Sequence, residues 1–180
     1  FSNEPWARWL AALVPLAITL QFIGVGLGVI KDEAAVKAMT RTGNPREILR
    51  GPLYYGVIFV ICTVVFWRTS PVGILALMLL CGGDGFADII GRRFGSAKLP
   101  FSREKSWAGS AAMFLGSFVF AFAFVWLFAT LGYYTLDVGR AFGVIALIAL
   151  AATAVESLPY HDIDNITVTV VALVLGLLFL

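Results

Sequence analysis

"LMLLCGGDGFADIIGRRFG", residues 77–95, runs an apolar segment straight into two carboxylates, Asp84 and Asp88, and then into Arg92 and Arg93. One unpaired charge in hydrocarbon costs several kcal/mol, so such a cluster is either solvated or does chemistry. The residues leading into it, from Val72, are almost all apolar. The stretch therefore reads as a membrane helix with a polar mouth. The rest of the chain agrees. Of its 180 residues 60% are hydrophobic and 13% charged, too little polar surface to cover a soluble core of this size.

The apolar residues come in long blocks, which predict membrane spans. Six are marked, at about Ala7–Ile30, Pro52–Trp67, Val72–Ile90, Trp107–Leu131, Ala141–Leu158 and Asn165–Leu180. All are read as helices, because a lipid-facing backbone must satisfy its own hydrogen bonds. The fold class expected is all-α, a polytopic helical membrane bundle with about six spans in one domain covering residues 1–180. In the third span, Gly82 and Gly83 are expected to weaken or break the helix. Cys62 and Cys81 both lie in apolar runs outside any C-x-x-C pattern, so neither a disulfide framework nor a zinc site is expected. No internal repeat divides the chain, and no nucleic-acid partner is expected. The sequence begins at Phe1 rather than Met, so an upstream part is expected.

Loop charge sets the orientation. If the spans alternate, loops 31–50, 91–106 and 159–164 share a side and hold ten of the 13 Lys and Arg residues, leaving Arg8, Arg68 and Arg140 opposite. The basic side should face the cytosol, or the stroma of a plastid. Asp84, Asp88, Glu156, Asp162, Asp164 and Asn165 emerge on that same side. Cysteines placed at Thr42 and Ser96 should therefore be labelled from one side of sealed vesicles, and one at Thr135 from the other. Labelling of 42 and 96 from opposite sides would remove the shared face.

Asp84 and Asp88 are four apart, so a helix puts both on one face. Paired carboxylates at a membrane surface suit magnesium, which one or two carboxylates plus substrate phosphates commonly hold. Gly82, Gly83 and Gly85 let the backbone approach a ligand closely, and Arg92, Arg93, Lys98 and Lys105 can balance a polyphosphate. The plainer alternative is an Asp88–Arg92 pair at i, i+4 within a solvated loop. In "REKSWAGS", residues 103–110, Ser106 can cap the fourth span while Gly109 and Ser110 leave room for a phosphate at its start. A snorkelling Lys105 beside an interfacial Trp107 is the simpler account. Glu156 ends an apolar span and is a functional candidate for that reason, with an ordinary interfacial carboxylate as the alternative. Asp164 opens the last span, Asn165 can cap it, and His161 reads as a loop residue. Residues 32–52 read as a short interfacial helix, a Thr-Gly-Asn break and a further turn begun by Pro45, either a surface anchor or a lid.

Three stretches together resemble the polyprenol kinase family, especially its plant and cyanobacterial phytol and farnesol kinases. They are "TRTGNPREILRGPLYY" (40–55), "CGGDGFADIIGRRFGSAKLPFSREKSWAGS" (81–110) and "VESLP…DN" (155–165). A more distant likeness in the central stretch links the chain to CDP-diacylglycerol synthases and dolichol kinases. The resemblance implies phosphoryl transfer from a nucleoside triphosphate, typically CTP, to an isoprenoid alcohol with Mg²⁺, as in phytol salvage for tocopherol synthesis. It further implies a plastid membrane in a plant or alga, and a cell or thylakoid membrane in a cyanobacterium. Residue by residue, Asp84 and Asp88 match the acidic pair. Arg92, Lys98 and Lys105 match the basic positions, and Glu156, Asp164 and Asn165 the late motif. Ile163 stands where relatives often have another acid, and Thr169 where proline is common. Relatives also carry an upstream Arg-Lys…His helix not seen here. A cytidylyltransferase, which attacks the α-phosphate, is the nearest rival. A transporter is disfavoured because the charges gather at one face instead of the midplane and no inverted repeat is visible.

Overall fold

The computed structural model describes residues 4–159 and 163–180, the Arg103 side chain apart. His161 and Asp162 lie outside the described residues. The described chain is helical except for one short hairpin, in keeping with the all-α expectation. It divides into two units, Phe1–Val65 and Phe66–Leu180.

In the first unit, α1 (Ala7–Gly26) packs on α3 (Gly51–Val65). The pair is antiparallel: Arg8 near the start of α1 donates to the Val64 carbonyl near the end of α3, at 3.3 Å. Between them come α2 (Glu33–Met39) and a 3₁₀ turn, Pro45–Leu49. The Asp32 carboxylate caps α2 by accepting from the Ala35 amide, and no residue of α2 is buried, as an interfacial helix requires. The Thr-Gly-Asn break folds over Glu47, whose carboxylate accepts the Arg41 and Thr42 amides at 2.6 and 3.2 Å.

The second unit is a ring of four helical segments. The first is α4 (Pro71–Met78), a π turn (Leu79–Asp84) and α5 (Gly85–Phe94) in one continuous run. Ser70 caps it and Pro71 occupies its first turn, where a missing amide hydrogen does no harm. The others are α6 (Trp107–Thr130), α7 (Val138–Glu156) and α8 (Asp164–Phe179). Within the ring α4 touches α6 and α8, and α7 touches both α6 and α8. The core comes from one face of each helix. Gly109, Met113, Ser117, Ala121 and Val125 are buried at every fourth residue of α6, as are Leu75 and Leu79, Ile145 and Ile148, and Val168 and Ala172 on the other segments. Large apolar residues such as Leu115, Val119, Trp126 and Leu150 point outward, the pattern of a protein dissolved in lipid.

Among the described residues, five helical stretches are long and apolar enough to cross a bilayer: Ala7–Gly26, Pro45–Val65, Pro71–Phe94, Trp107–Thr130 and Val138–Glu156. The sixth expected segment, Asn165–Leu180, is present as a shorter apolar helix of 16 residues, Asp164–Phe179. At about 1.5 Å per residue it rises about 24 Å, short of a hydrocarbon core of roughly 30 Å. Gly82 and Gly83 do not break the third span; the helix widens to a π turn and continues as far as Phe94.

Candidate active site

Asp84 is the last residue of the π turn and Asp88 lies in the first turn of α5. The two glycines before Asp84 are buried against α6. A Cβ on Gly82 would lie 2.7 Å from that of Phe120, and one on Gly83 would meet Ser117 and Met113. Only Gly85 has open space where a side chain would stand, with nothing within 4 Å. Two of the three glycines expected beside a ligand thus bring helices together. Asp88 and Arg92 form the i, i+4 pair at 2.8 Å, both well exposed.

Residues 91–106 are not a plain loop. Strands β1 (Lys98–Leu99) and β2 (Ser102–Ser106) pair antiparallel around Pro100 and Phe101, with Leu99 opposite Ser102 and buried. Proline suits the second position of such a turn, a signal present in the sequence and passed over. Lys98 reaches along the hairpin to the Glu104 carbonyl at 3.2 Å. Strand β2 runs directly into α6. Ser106 caps the helix as expected, its buried hydroxyl accepting from the Gly109 amide at 3.1 Å. Gly109 itself sits against α5, where a Cβ would lie 3.3 Å from the Ala87 carbonyl.

The hairpin delivers Lys105 to the late carboxylates. Its ammonium donates to Glu156, the last residue of α7, in a short bond, and to Asp164, the first residue of α8, at 3.2 Å. Glu156 is 4% exposed. Burial alone lowers the pKa of Lys105, but the charges and hydrogen bonds of Glu156 and Asp164 outweigh it and hold the ammonium above its ordinary value. Lys105 therefore stays charged. Asp164 accepts the Asn165 amide at 3.1 Å in the first turn of α8, where a negative charge is favoured, and Asn165 is buried. Half-buried Asp84 stands within electrostatic reach of Asp164, Glu156, Lys105 and Asp88.

A contact that sequence reading missed joins the same helix ends. Ser110 and Ser157 share a hydrogen bond at 2.9 Å, and Ser157 also donates to the Thr153 carbonyl at 2.8 Å. No local pattern announces it, since the two serines are 47 residues apart.

Four carboxylates thus gather at one end of the second unit, with Lys105 among them and Arg92 and Lys98 on the surface beside them. Among the described residues no three His, Cys, Asp or Glu side chains form a self-contained metal cage. Magnesium needs none, because substrate phosphates and water complete its shell. Asp84 with Asp88 supplies the hard oxygen donors, so the donor set fits that ion. The cations differ in availability. The exposed Arg92–Asp88 pair is worth about 0–1 kcal/mol, so Arg92 is easily lent to a ligand. Drawing Lys105 away would strand buried Glu156, a loss of about 3–5 kcal/mol.

No family model matches the chain, and no solved structure does. Curated plant proteins do. "Probable phytol kinase 1, chloroplastic" of Oryza sativa subsp. japonica is 51% identical over 93% of this chain and 54% of its own length. "Probable phytol kinase, chloroplastic" of Triticum aestivum is 48% identical over 99% of the chain and 60% of its own length. "Phytol kinase 1, chloroplastic" of Arabidopsis thaliana is 42% identical over 93% of the chain and 56% of its own length. The chain therefore spans a little over half the length of these relatives.

Proposed function

We propose that this chain, a homologue of the plant phytol kinases, forms the membrane domain that transfers the γ-phosphoryl group of CTP to the hydroxyl of an isoprenoid alcohol such as phytol. The identity with proteins of that name over nearly the whole chain carries the reading. The convergence of Asp84, Glu156, Asp164 and Lys105 at one end of four apolar helices supports it. Phosphoryl transfer asks mainly for positioning and charge neutralisation, and this arrangement offers both. The alcohol oxygen forms a bond to the γ-phosphorus, the bond from that phosphorus to the β–γ bridging oxygen breaks, and CDP leaves. The alcohol's proton passes to a carboxylate or to water. Asp84 and Asp88 would hold the magnesium ion, which when bound supplies neutralising charge to the phosphates. Arg92 and Lys98, held only by weak surface contacts, turn to the phosphate oxygens, and Gly85 leaves the backbone open to them. The relatives' chloroplast names favour work in a plastid membrane, in phytol salvage for tocopherol synthesis.

The lipid alcohol has a seat on the same two helices. An apolar groove of about 470 Å³ between α5 and α6 is lined by Phe86, Ile90, Ala108, Ala112, Leu115 and Gly116. That volume lies within the range of small-ligand sites, roughly 300–1,000 Å³. Filling the groove with Ala112→Trp should raise the KM for phytol at least tenfold and leave that for CTP unchanged. Equal KM values for phytol in the two proteins would place the chain elsewhere.

The reading as a whole is tested by incubating membranes containing the full-length protein with γ-labelled CTP and phytol, geranylgeraniol or farnesol. Labelled prenyl monophosphate and CDP are expected. Pyrophosphate with a CDP-lipid would mark a cytidylyltransferase, and no transfer to any alcohol would overturn the proposal.

A further inference from the structure

We infer that Lys105 is a positioning residue and not a phosphate ligand: its ammonium ties the end of α7 to the start of α8 and so fixes Glu156 and Asp164 beside Asp84. The inference rests on the phosphoryl-transfer reading above. Three observations carry it. First, the ammonium already donates to two carboxylates from two different helices, in a short bond to Glu156 and at 3.2 Å to Asp164. Second, access separates the cations. The Arg92 side chain is 68% exposed and that of Lys105 24%, against a Glu156 side chain only 5% exposed. A polyphosphate arriving from water meets Arg92 and Lys98 first.

Third, α6 holds the end of α7 at a second point. Ser110, five residues beyond Lys105, bonds to Ser157, the neighbour of Glu156, at 2.9 Å. Ser157 is itself fixed to the Thr153 carbonyl. Two ties, one from the end of β2 and one from the first turn of α6, to consecutive residues at the end of α7 leave the Glu156 carboxylate little freedom. The charges and hydrogen bonds of Glu156 and Asp164 hold the lysine above its ordinary value, which favours the ammonium form the tie uses.

The test uses the full-length protein in nanodiscs, with thermal unfolding, CTP binding and prenol phosphorylation measured on the same samples. Lys105→Met should lower kcat at least tenfold, leave the CTP KM and Kd within about twofold, and lower the unfolding midpoint. Lys105→Arg, which can still bridge both carboxylates, should recover most of kcat. Lys105→Met combined with Glu156→Gln should regain most of the lost midpoint, since Glu156, the more deeply buried of the two carboxylates, then carries no charge, and should bind CTP as wild type does. Arg92→Gln, by contrast, should weaken CTP binding about tenfold or more. A tenfold rise in the CTP Kd for Lys105→Met or for the double variant overturns the inference, as does a midpoint that the second substitution fails to restore. Wild-type protein that phosphorylates no prenol overturns the parent reading, and the unfolding cycle still decides whether Lys105 is the tie.

Discussion

Asp84→Asn is expected to lower prenol phosphorylation by about 10²-fold or more, a loss of about 2.7 kcal/mol in transition-state stabilisation. The exchange keeps the side chain's shape and hydrogen-bonding reach and removes one formal charge. Folding should survive, because an amide is easier than a carboxylate to place at a half-buried position among Asp164, Glu156 and Asp88. Lost activity with normal amounts of folded protein therefore reports on the chemistry. Asp88→Asn should also lower turnover and raise the magnesium concentration needed for half-maximal rate. Its effect on stability should stay within about 1 kcal/mol, since the partner it abandons, Arg92, is exposed. The deciding measurement is phosphorylation across a magnesium titration at equal amounts of folded enzyme. Near-wild-type rates and an unchanged magnesium requirement in both variants would remove the metal-site proposal.

Gly116→Ala should be strongly damaging to the second unit. A Cβ there would lie 2.5 Å from the carbonyl oxygen of Gly82. That neighbour is backbone, not the tip of a flexible side chain, so α6 and the π turn must separate to admit it. Overpacking of this kind costs about 1–3 kcal/mol, and a clash with main chain belongs at the upper end. Activity should fall further than stability, because Asp84 lies two residues beyond the displaced carbonyl. Gly143→Ala is the control. It is an exposed helical position with nothing within 4 Å, where alanine should add about 0.5–1 kcal/mol of stability. Thermal unfolding in detergent, read beside activity, separates the two outcomes. An unaltered midpoint for Gly116→Ala would mean that the helices are not in contact there.

The spans and their polar ends were legible because both follow from local pattern: long apolar runs, a serine before one of them, and charges gathered on alternate loops. Ser106 is an instance, since a serine placed just before an apolar run has one obvious task. The last helix, at Asn165–Leu180, is as apolar as its neighbours and only shorter. The role of Gly82 and Gly83 was hidden, since nothing beside them in sequence says that α6 will lie against them. The same limit applies to Lys105. Its basic character was visible, but its partners are 51 and 59 residues away, and only packing decides whether a cation meets a ligand or a carboxylate.

The π turn at Leu79–Asp84 has a consequence beyond the site it shapes. An uninterrupted α-helix advances about 100° per residue, so the face that buries Leu75 and Leu79 would dictate the inward face of every later turn. A π turn adds, in effect, one extra residue and resets that phase. Residues before it are indexed to the core, and Asp84 at its end and Asp88 beyond it are indexed to the polar mouth. Deleting any one of residues 79–83 would leave a span that looks normal by hydropathy, inserts in the same direction and retains both aspartates. It would also swing them by roughly a quarter turn, away from Glu156 and Asp164.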